Sequence, residues 1–316
     1  MEIPTLDERL SILGRHLRKD GYDFITPTPA THARVLARKE NSSSILRDVF
    51  GWNRPFLPDQ LPGQYRAFLG DDDLFEAGEK FRARVRFTRL DKLLLAHSAY
   101  PTVGADAVFF GPDTYRFCQA LRALSEREPH FRPHSCVDIG AGTGAGGLLS
   151  ASLFPSLQEI ALVDINAQSL PFSRANAALN GIHIARSIRS DILQAWDRPA
   201  DLIISNPPYL VDSAIRAYRH GGGDWGATLS VRILDQALRH LRTDGHLLLY
   251  TGSAIVDGRD KFLEEAEPIL RARTVRYRYE QLDPDVFGEE LEKAPYDRAD
   301  RIAIMVLDVK GSDLKQ

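Results

Sequence analysis

The residues of this chain with the clearest chemical potential fall in two short runs. The first is Val137-Asp138-Ile139-Gly140-Ala141-Gly142-Thr143-Gly144, which closes an apolar segment and leads into a helix-compatible stretch through Leu148 and Leu149. Glycines at a strand-to-helix turn permit positive φ and let a ligand come close to the backbone, while the helix start offers unpaired N–H groups. Such a turn suits a carboxylate or a phosphate. Against the dinucleotide fingerprint G-x-G-x-x-G, the third position here is Ala145, with Gly144 one place early. Asp164 ends the next apolar segment, 20 residues beyond Gly144, where a carboxylate can accept from both hydroxyls of an adenosine ribose. Ser190-Asp191-Ile192 follows the third segment, and Asp191 beside the same crevice can accept from the exocyclic amino group of an adenine.

The second run, Ser205-Asn206-Pro207-Pro208-Tyr209, ends the fourth apolar segment. Two prolines cannot continue a β-ladder, so the strand stops there. That stop lies at the carboxyl edge, where open α/β sheets bind ligands. The prolines would hold the Asn206 amide oxygen and the Pro207 carbonyl as fixed acceptors, with Tyr209 as a planar platform. A nucleotide-dependent dehydrogenase would use the glycine turn and Asp164 but leave this run idle.

With these residues in place the chain resembles a class I S-adenosylmethionine-dependent methyltransferase of the N-P-P-Y group, with most likeness to the HemK-type branch that methylates glutamine amides of release factors. The resemblance rests on Asp138 to Gly144, Asp164, Asp191 and Asn206 to Tyr209. It implies that Gly140, Gly142 and Gly144 line the methionine part of S-adenosyl-L-methionine, with Asp138, Thr143 and Asn206 also on the cofactor. It further implies that Asp164 holds the ribose and Asp191 approaches the adenine. By the same resemblance Asn206 and Pro207 accept hydrogen bonds from the substrate NH2, and Tyr209 packs against its plane. The Phe109-Phe110-Gly111-Pro112-Asp113-Thr114 segment resembles that branch's proline-containing entry to the first helix, with Gly111 in place of an arginine-proline context. Gly222-Gly223-Asp224-Trp225-Gly226 resembles its G-G-x-D-G loop, displaced by one residue.

The elements that must position these residues are legible as a pattern. From about residue 116, short apolar strands alternate with helical stretches, the mark of a parallel α/β sheet. The strands read as Ser135–Ile139, Glu159–Asp164, His183–Arg189, Asp201–Ser205, Gly245–Thr251, Val275–Glu280 and Arg301–Val309, the last two as an antiparallel edge pair. Together with the resemblance this predicts a doubly wound, seven-stranded α/β methyltransferase sheet over residues 106–316. Residues 1–105 read as a small helical domain, with Leu10, Leu13 and Leu17 at helical spacing and Asn41-Ser42-Ser43-Ser44 as a helix cap. Arg82 to Phe87 and Leu90 to Leu95 read as a linking hairpin, in which alternating Arg82, Arg84 and Arg86 suit a wet face. Tyr100 and Phe110 read as core residues that could also roof the pocket. His97, His220 and His246 read as surface or packed residues. The acidic stretch from Asp283 to Glu292 reads as a solvated loop or a lid on the substrate side.

Composition sets the outer limits. Of 316 residues 43% are hydrophobic and 26% charged, ordinary globular usage that excludes collagen-like, coiled-coil and disordered classes. The 40 basic residues nearly balance 43 acidic ones, which gives no electrostatic case for wrapping duplex nucleic acid. Two cysteines, Cys118 and Cys136, without a CxxC pair point to neither a disulfide framework nor a zinc site and fit a reducing cytoplasm. The first ten residues are charged and no run reaches a membrane span, so neither secretion nor insertion is expected. The leading expectation is N-methylation of a glutamine-like amide in a protein. The alternatives are a small-molecule enzyme, including one that cyclises the aminobutyryl part of the cofactor with methylthioadenosine release, adenine-N6 methylation of nucleic acid, and a non-catalytic binding module.

Overall fold

The computed structural model describes residues 4–38, 44–100, 102, 104–212, 216, 218–273 and 275–311. The first part holds helices α1 (Leu6–Lys19), α2 (Pro29–Leu36), α3 (Ile45–Phe50) and the single turn α4 (Gly63–Arg66). Leu10, Leu13 and Leu17 of α1 are all fully buried, as their spacing requires. The Glu8 side chain accepts from Thr5 N at 2.8 Å and caps the helix start. Asn41 to Ser43 of the expected cap lie outside the described residues, and Ser44 itself caps α3.

Strands β1 (Phe75–Glu76) and β2 (Arg82–Ala83) pair with each other, and β3 (Val85–Leu90) and β4 (Leu93–Ser98) form the hairpin. The hairpin therefore starts three residues later than the sequence pattern suggests. Its turn falls on Asp91, at φ +54°, a left-handed position that aspartate tolerates better than most residues. Arg86 does not face water either. It is buried, donates from Nε to the Gly51 carbonyl at 2.8 Å and lies over the Phe24 ring.

The second part alternates as expected: α5 (Pro112–Arg127), β5 (Ser135–Ile139), α6 (Ala145–Leu153), β6 (Glu159–Asp164), α7 (Ser169–Leu179), β7 (Ala185–Arg189), β8 (Ala200–Ser205), α8 (Thr228–His240), β9 (Leu241–Val256), β10 (Arg259–Asp260), α9 (Lys261–Arg273), β11 (Arg276–Asp283) and β12 (Arg301–Lys310). The sheet order is β7-β6-β5-β8-β9-β12-β11, with β12 antiparallel to both neighbours, and β10 adds a short rung on β9 beyond the seven expected strands. Side chains alternate across the sheet. Cys136, Leu162, Leu202 and Ile204 pack beneath α5 and α6, while Val137, Ile139, Val163 and Ile203 pack beneath α8 and α9. Strand order reverses at β5, because β6 and β7 are added on one side of it and the parallel β8 on the other, which opens a crevice at the carboxyl ends of β5 and β8. Among the described residues no helix is long and apolar enough to cross a membrane.

Candidate active site

The crevice begins at the glycine turn. Gly140, Gly142 and Gly144 all have left-handed φ, of 69°, 52° and 80°. Nothing lies within 4 Å of where a Cβ would sit on Gly140 or Gly142, so the cleft floor there is bare backbone. Gly144 is not among the lining residues. Its missing Cβ answers to the core, where Leu162 would stand 3.1 Å away. The turn is pinned to the neighbouring strand, since Gly140 N and Ala141 N both donate to the Val163 carbonyl, at 2.8 and 3.0 Å. Gly146 and Gly147 let α6 sit flush on the sheet and on α5, because a Cβ on either would fall 2.5 Å from Phe117 or Leu162.

Three carboxylates face this turn. Asp138 is buried beneath it, accepts from Gly147 N at 2.8 Å, and is pushed up to about 7 by burial. Asp164 accepts from Gly142 N at 2.8 Å and from Asn166 N at 2.9 Å, yet burial still raises it. Asp191 is half-buried and paired with Arg232 of α8 at 3.1 Å. Ile165, 59% exposed, and Ile192 lie beside these acids and line the cleft. Ile192 has φ +51°, a strained state for a β-branched residue. Bare backbone, two carboxylates and the apolar side chains of exposed Ile165 and buried Ile192 fit a ligand with a polar chain, a diol and a flat apolar ring.

The Asn206-Pro207-Pro208-Tyr209 run forms the opposite wall. Ser205 Oγ donates to the Ile139 carbonyl at 2.8 Å, which ties the end of β8 to the start of the glycine turn. Asn206, Pro207, Pro208 and Tyr209 all line the same cleft as the glycine turn, Asp164 and Asp191. Tyr209 is buried, and its ring occupies space that a side chain on Gly252 would fill, 2.4 Å from the nearest ring atom. The glycine-rich loop after β8 has a comparable reason. A Cβ on Gly221 or Gly226 would come within 2.8 Å of the Tyr209 backbone. Tyr296 fixes both pieces, accepting from Val211 N at 2.9 Å and donating to the Trp225 carbonyl at 3.2 Å.

Several lining residues had no role in the sequence reading. Asp113, at the start of α5, accepts from Tyr250 Oη at 3.1 Å and lines the cleft with Tyr209. Burial raises it, and Tyr209 is pushed well above its ordinary value by burial and then by this neighbour. Phe109 and Tyr218 stack at 5.7 Å with planes 8° apart at the mouth. Phe109, not Phe110 or Tyr100, lines the cleft; Phe110 stacks on His97, and Tyr100 packs on His32. The acidic stretch lies on the cleft side, as the second of its two readings has it: Asp285, Glu289 and Glu292 face solvent, while Phe287 lines the cleft beside Tyr209 and Glu290 is buried against Arg219 at 2.7 Å. His246 is buried away from the cleft, with Nδ1 on Asp308 at 2.9 Å.

Comparison with known proteins agrees with this geometry. Residues 119–257 match the family model described as "Methyltransferase small domain". A release factor glutamine methyltransferase of Deinococcus radiodurans is 31% identical over 254 residues, 78% of this chain and 81% of that protein. The chain belongs to the class I S-adenosylmethionine-dependent methyltransferases. Another relative of this methyltransferase, the tRNA1(Val) (adenine(37)-N6)-methyltransferase of Aeromonas hydrophila, is 33% identical over 129 residues, 38% of this chain and 52% of that one. The chain spans about half the length of several other curated relatives it matches. The crystal structure of Trm5b from Pyrococcus abyssi superimposes with a TM-score of 0.50 at 16% identity over 75% of this chain and 62% of that one, a likeness of fold. The cofactor is S-adenosylmethionine, which supplies an electrophilic sulfonium methyl group when bound.

Proposed function

We propose that this methyltransferase acts on a glutamine-like amide nitrogen of a protein, with Asn206 Oδ1 and the Pro207 carbonyl accepting from the amide NH2 and Tyr209 supporting its plane. In the same reading Asp138, Gly140, Gly142 and Thr143 form the seat of the cofactor's methionine part, with Gly144 shaping the turn from the core side, Asp164 binds its ribose and Asp191 stands at its adenine. The observation that carries the reading is one shared wall. The end of β8 brings the Asn206 side chain, the proline-held Pro207 carbonyl and an immobilised aromatic ring to the edge of the glycine turn. An amide nitrogen is a poor nucleophile because its lone pair is delocalised. Acceptors on both its hydrogens favour the electron-rich form, and fixed positions align it for in-line attack. A relative named for glutamine methylation of release factors, aligned over most of both chains, supports the protein acceptor.

The test is product analysis with isotope-labelled S-adenosylmethionine, offered a release factor and an RNA in parallel. Label in a glutamine side chain with S-adenosylhomocysteine as coproduct is the expected result. N6-methyladenine in the RNA would overturn the amide reading, and methylthioadenosine would overturn methyl transfer. Asn206→Ala should lower kcat by about 100-fold or more, the size of losing an aligned polar contact to the reacting group. Unchanged turnover would remove Asn206 from the mechanism.

A further inference from the structure

Asn176 lies in the middle of α7, where asparagine is a poor helix former, and it is fully buried. A buried carboxamide costs stability unless its capacity is used. Here both protons and the oxygen are engaged. Oδ1 accepts from Ala96 N at 2.7 Å, and Nδ2 donates to the Ala96 carbonyl at 3.0 Å and to the Thr143 carbonyl at 2.9 Å. The carboxamide thus pairs with Ala96 as another strand's peptide would. It covers an edge of β4 that the hairpin leaves unpaired.

Asn180, one turn later, does the same for Leu94, with Oδ1 accepting from its N–H at 3.1 Å and Nδ2 donating to its carbonyl at 2.9 Å. The geometry matches because four helical residues rise about 6 Å and two strand residues about 6.7 Å. The two asparagines differ in that Asn180 Oδ1 also accepts from Arg18 of α1, at 2.6 Å, and in where the second amide proton goes. The second proton of Asn180 goes to the Asn176 carbonyl at 2.7 Å, within the helix, whereas that of Asn176 leaves the helix for the glycine turn. Thr143 stands there between two left-handed glycines, and its peptide plane also carries Gly144 N–H, which donates to the Ala141 carbonyl at 2.7 Å. A planar peptide cannot turn one end without the other, so fixing this carbonyl fixes the turn.

We propose that Asn176 is a positioning residue for the cofactor turn, making its geometry depend on how the β3–β4 hairpin is seated. The inference rests on the reading that residues 140–144 hold the cofactor. Coupling of this kind is reciprocal. A ligand that steadies the turn steadies the hairpin, and a partner that shifts the hairpin changes affinity for the cofactor.

Calorimetric titration of the full chain with S-adenosylhomocysteine tests it. Asn176→Ala should weaken binding about tenfold, while Asn180→Ala, which loses its bonds to the hairpin, to Arg18 and within the helix but none to the glycine turn, should stay within about twofold of the unchanged protein even where its melting temperature falls as far. Equal affinities for the two variants would overturn the positioning role. Asp164→Ala keeps the two readings apart, because if it too leaves affinity unchanged, the cofactor site itself has been misassigned. A second measurement needs no substitution. Hydrogen exchange of residues 93–98 in the unaltered protein should slow when S-adenosylhomocysteine saturates the site, and an unaltered rate would overturn the coupling.

Discussion

Asp138 shows what a single residue tells about this site. Its carboxylate is sealed beneath the glycine turn with one backbone donor, Gly147 N, and a second carboxylate, Asp164, close enough to repel it. Burial therefore holds a proton on it up to about pH 7, against an ordinary value of 3.8. The folded chain keeps this proton through a window in which the unfolded chain has given it up. Stability from this group is present below pH 3.8 and is lost as pH rises towards 7, at up to roughly 1.4 kcal/mol per pH unit. Asp138→Asn keeps an acceptor for Gly147 N and cannot titrate. The variant should gain on the original protein in urea-unfolding free energy from pH 4 to 7, after which the gap stays constant. Parallel curves over that range would show that the carboxyl ionises freely in the fold. The sequence could place Asp138 next to the turn because strand and turn are contiguous. It could not show Asp113 or Phe287 in the same cleft, since helix α5 and the segment between β11 and β12 bring them there from 25 residues before and 149 after.

At the scale of elements, the helix that follows the turn is placed by what its glycines lack. A helical glycine costs about 1 kcal/mol against alanine, so α6 should gain from Gly147→Ala if propensity decided. The new methyl would lie 2.5 Å from Leu162 Cδ2, 3.1 Å from Ile160 Cγ2 and 3.3 Å from Asp138 Cβ, all of them buried residues. Overpacking of that kind costs about 1–3 kcal/mol. The crowding wins, and Gly147→Ala should melt at a lower temperature than the parent, with Gly70→Ala, which meets nothing within 4 Å, as the neutral reference. A higher melting temperature would mean that α6 is free to lift off the sheet. Elements also mark where sequence reading reached and where it stopped. The sheet strands were legible because buried parallel strands are runs of apolar residues bounded by turns. The hairpin register was not, because Arg82 to Leu95 alternates through two pairings, and only Asp91 with its left-handed backbone decides which residues oppose each other. Arg86 misled for the same reason. Alternation assigned it to water, and the packing of α3 and Phe24 over β3 puts it inside.

For the whole molecule the question is whether the first third of the chain is a separate body. We propose the division at residue 105 as one of chain organisation and not of folding. Helix α7 belongs to the sheet by its place between β6 and β7, yet Phe172, Ala175 and Leu179 complete the core built by α1, α3 and the hairpin. The same helix face carries Asn176 and Asn180, and Arg18 of α1 donates to the Leu179 carbonyl at 2.7 Å. Taking the first third away would expose apolar surface on α7 and strip buried Asn176 and half-buried Asn180 of their partners on the hairpin, which costs far more than a mobile tether between two domains can bear. Calorimetry of the full chain should therefore show one unfolding transition that includes both parts. Gly14 of α1 lies at the contact, where a Cβ would stand 2.5 Å from Leu179 and 3.0 Å from Phe87. Gly14→Val should shift that single transition down, by about 1–3 kcal/mol of stability, without splitting it. Two resolved transitions in the parent protein, or a variant in which only a minor early transition moves, would show instead that the first third folds by itself and rests on α7 as a detachable cap.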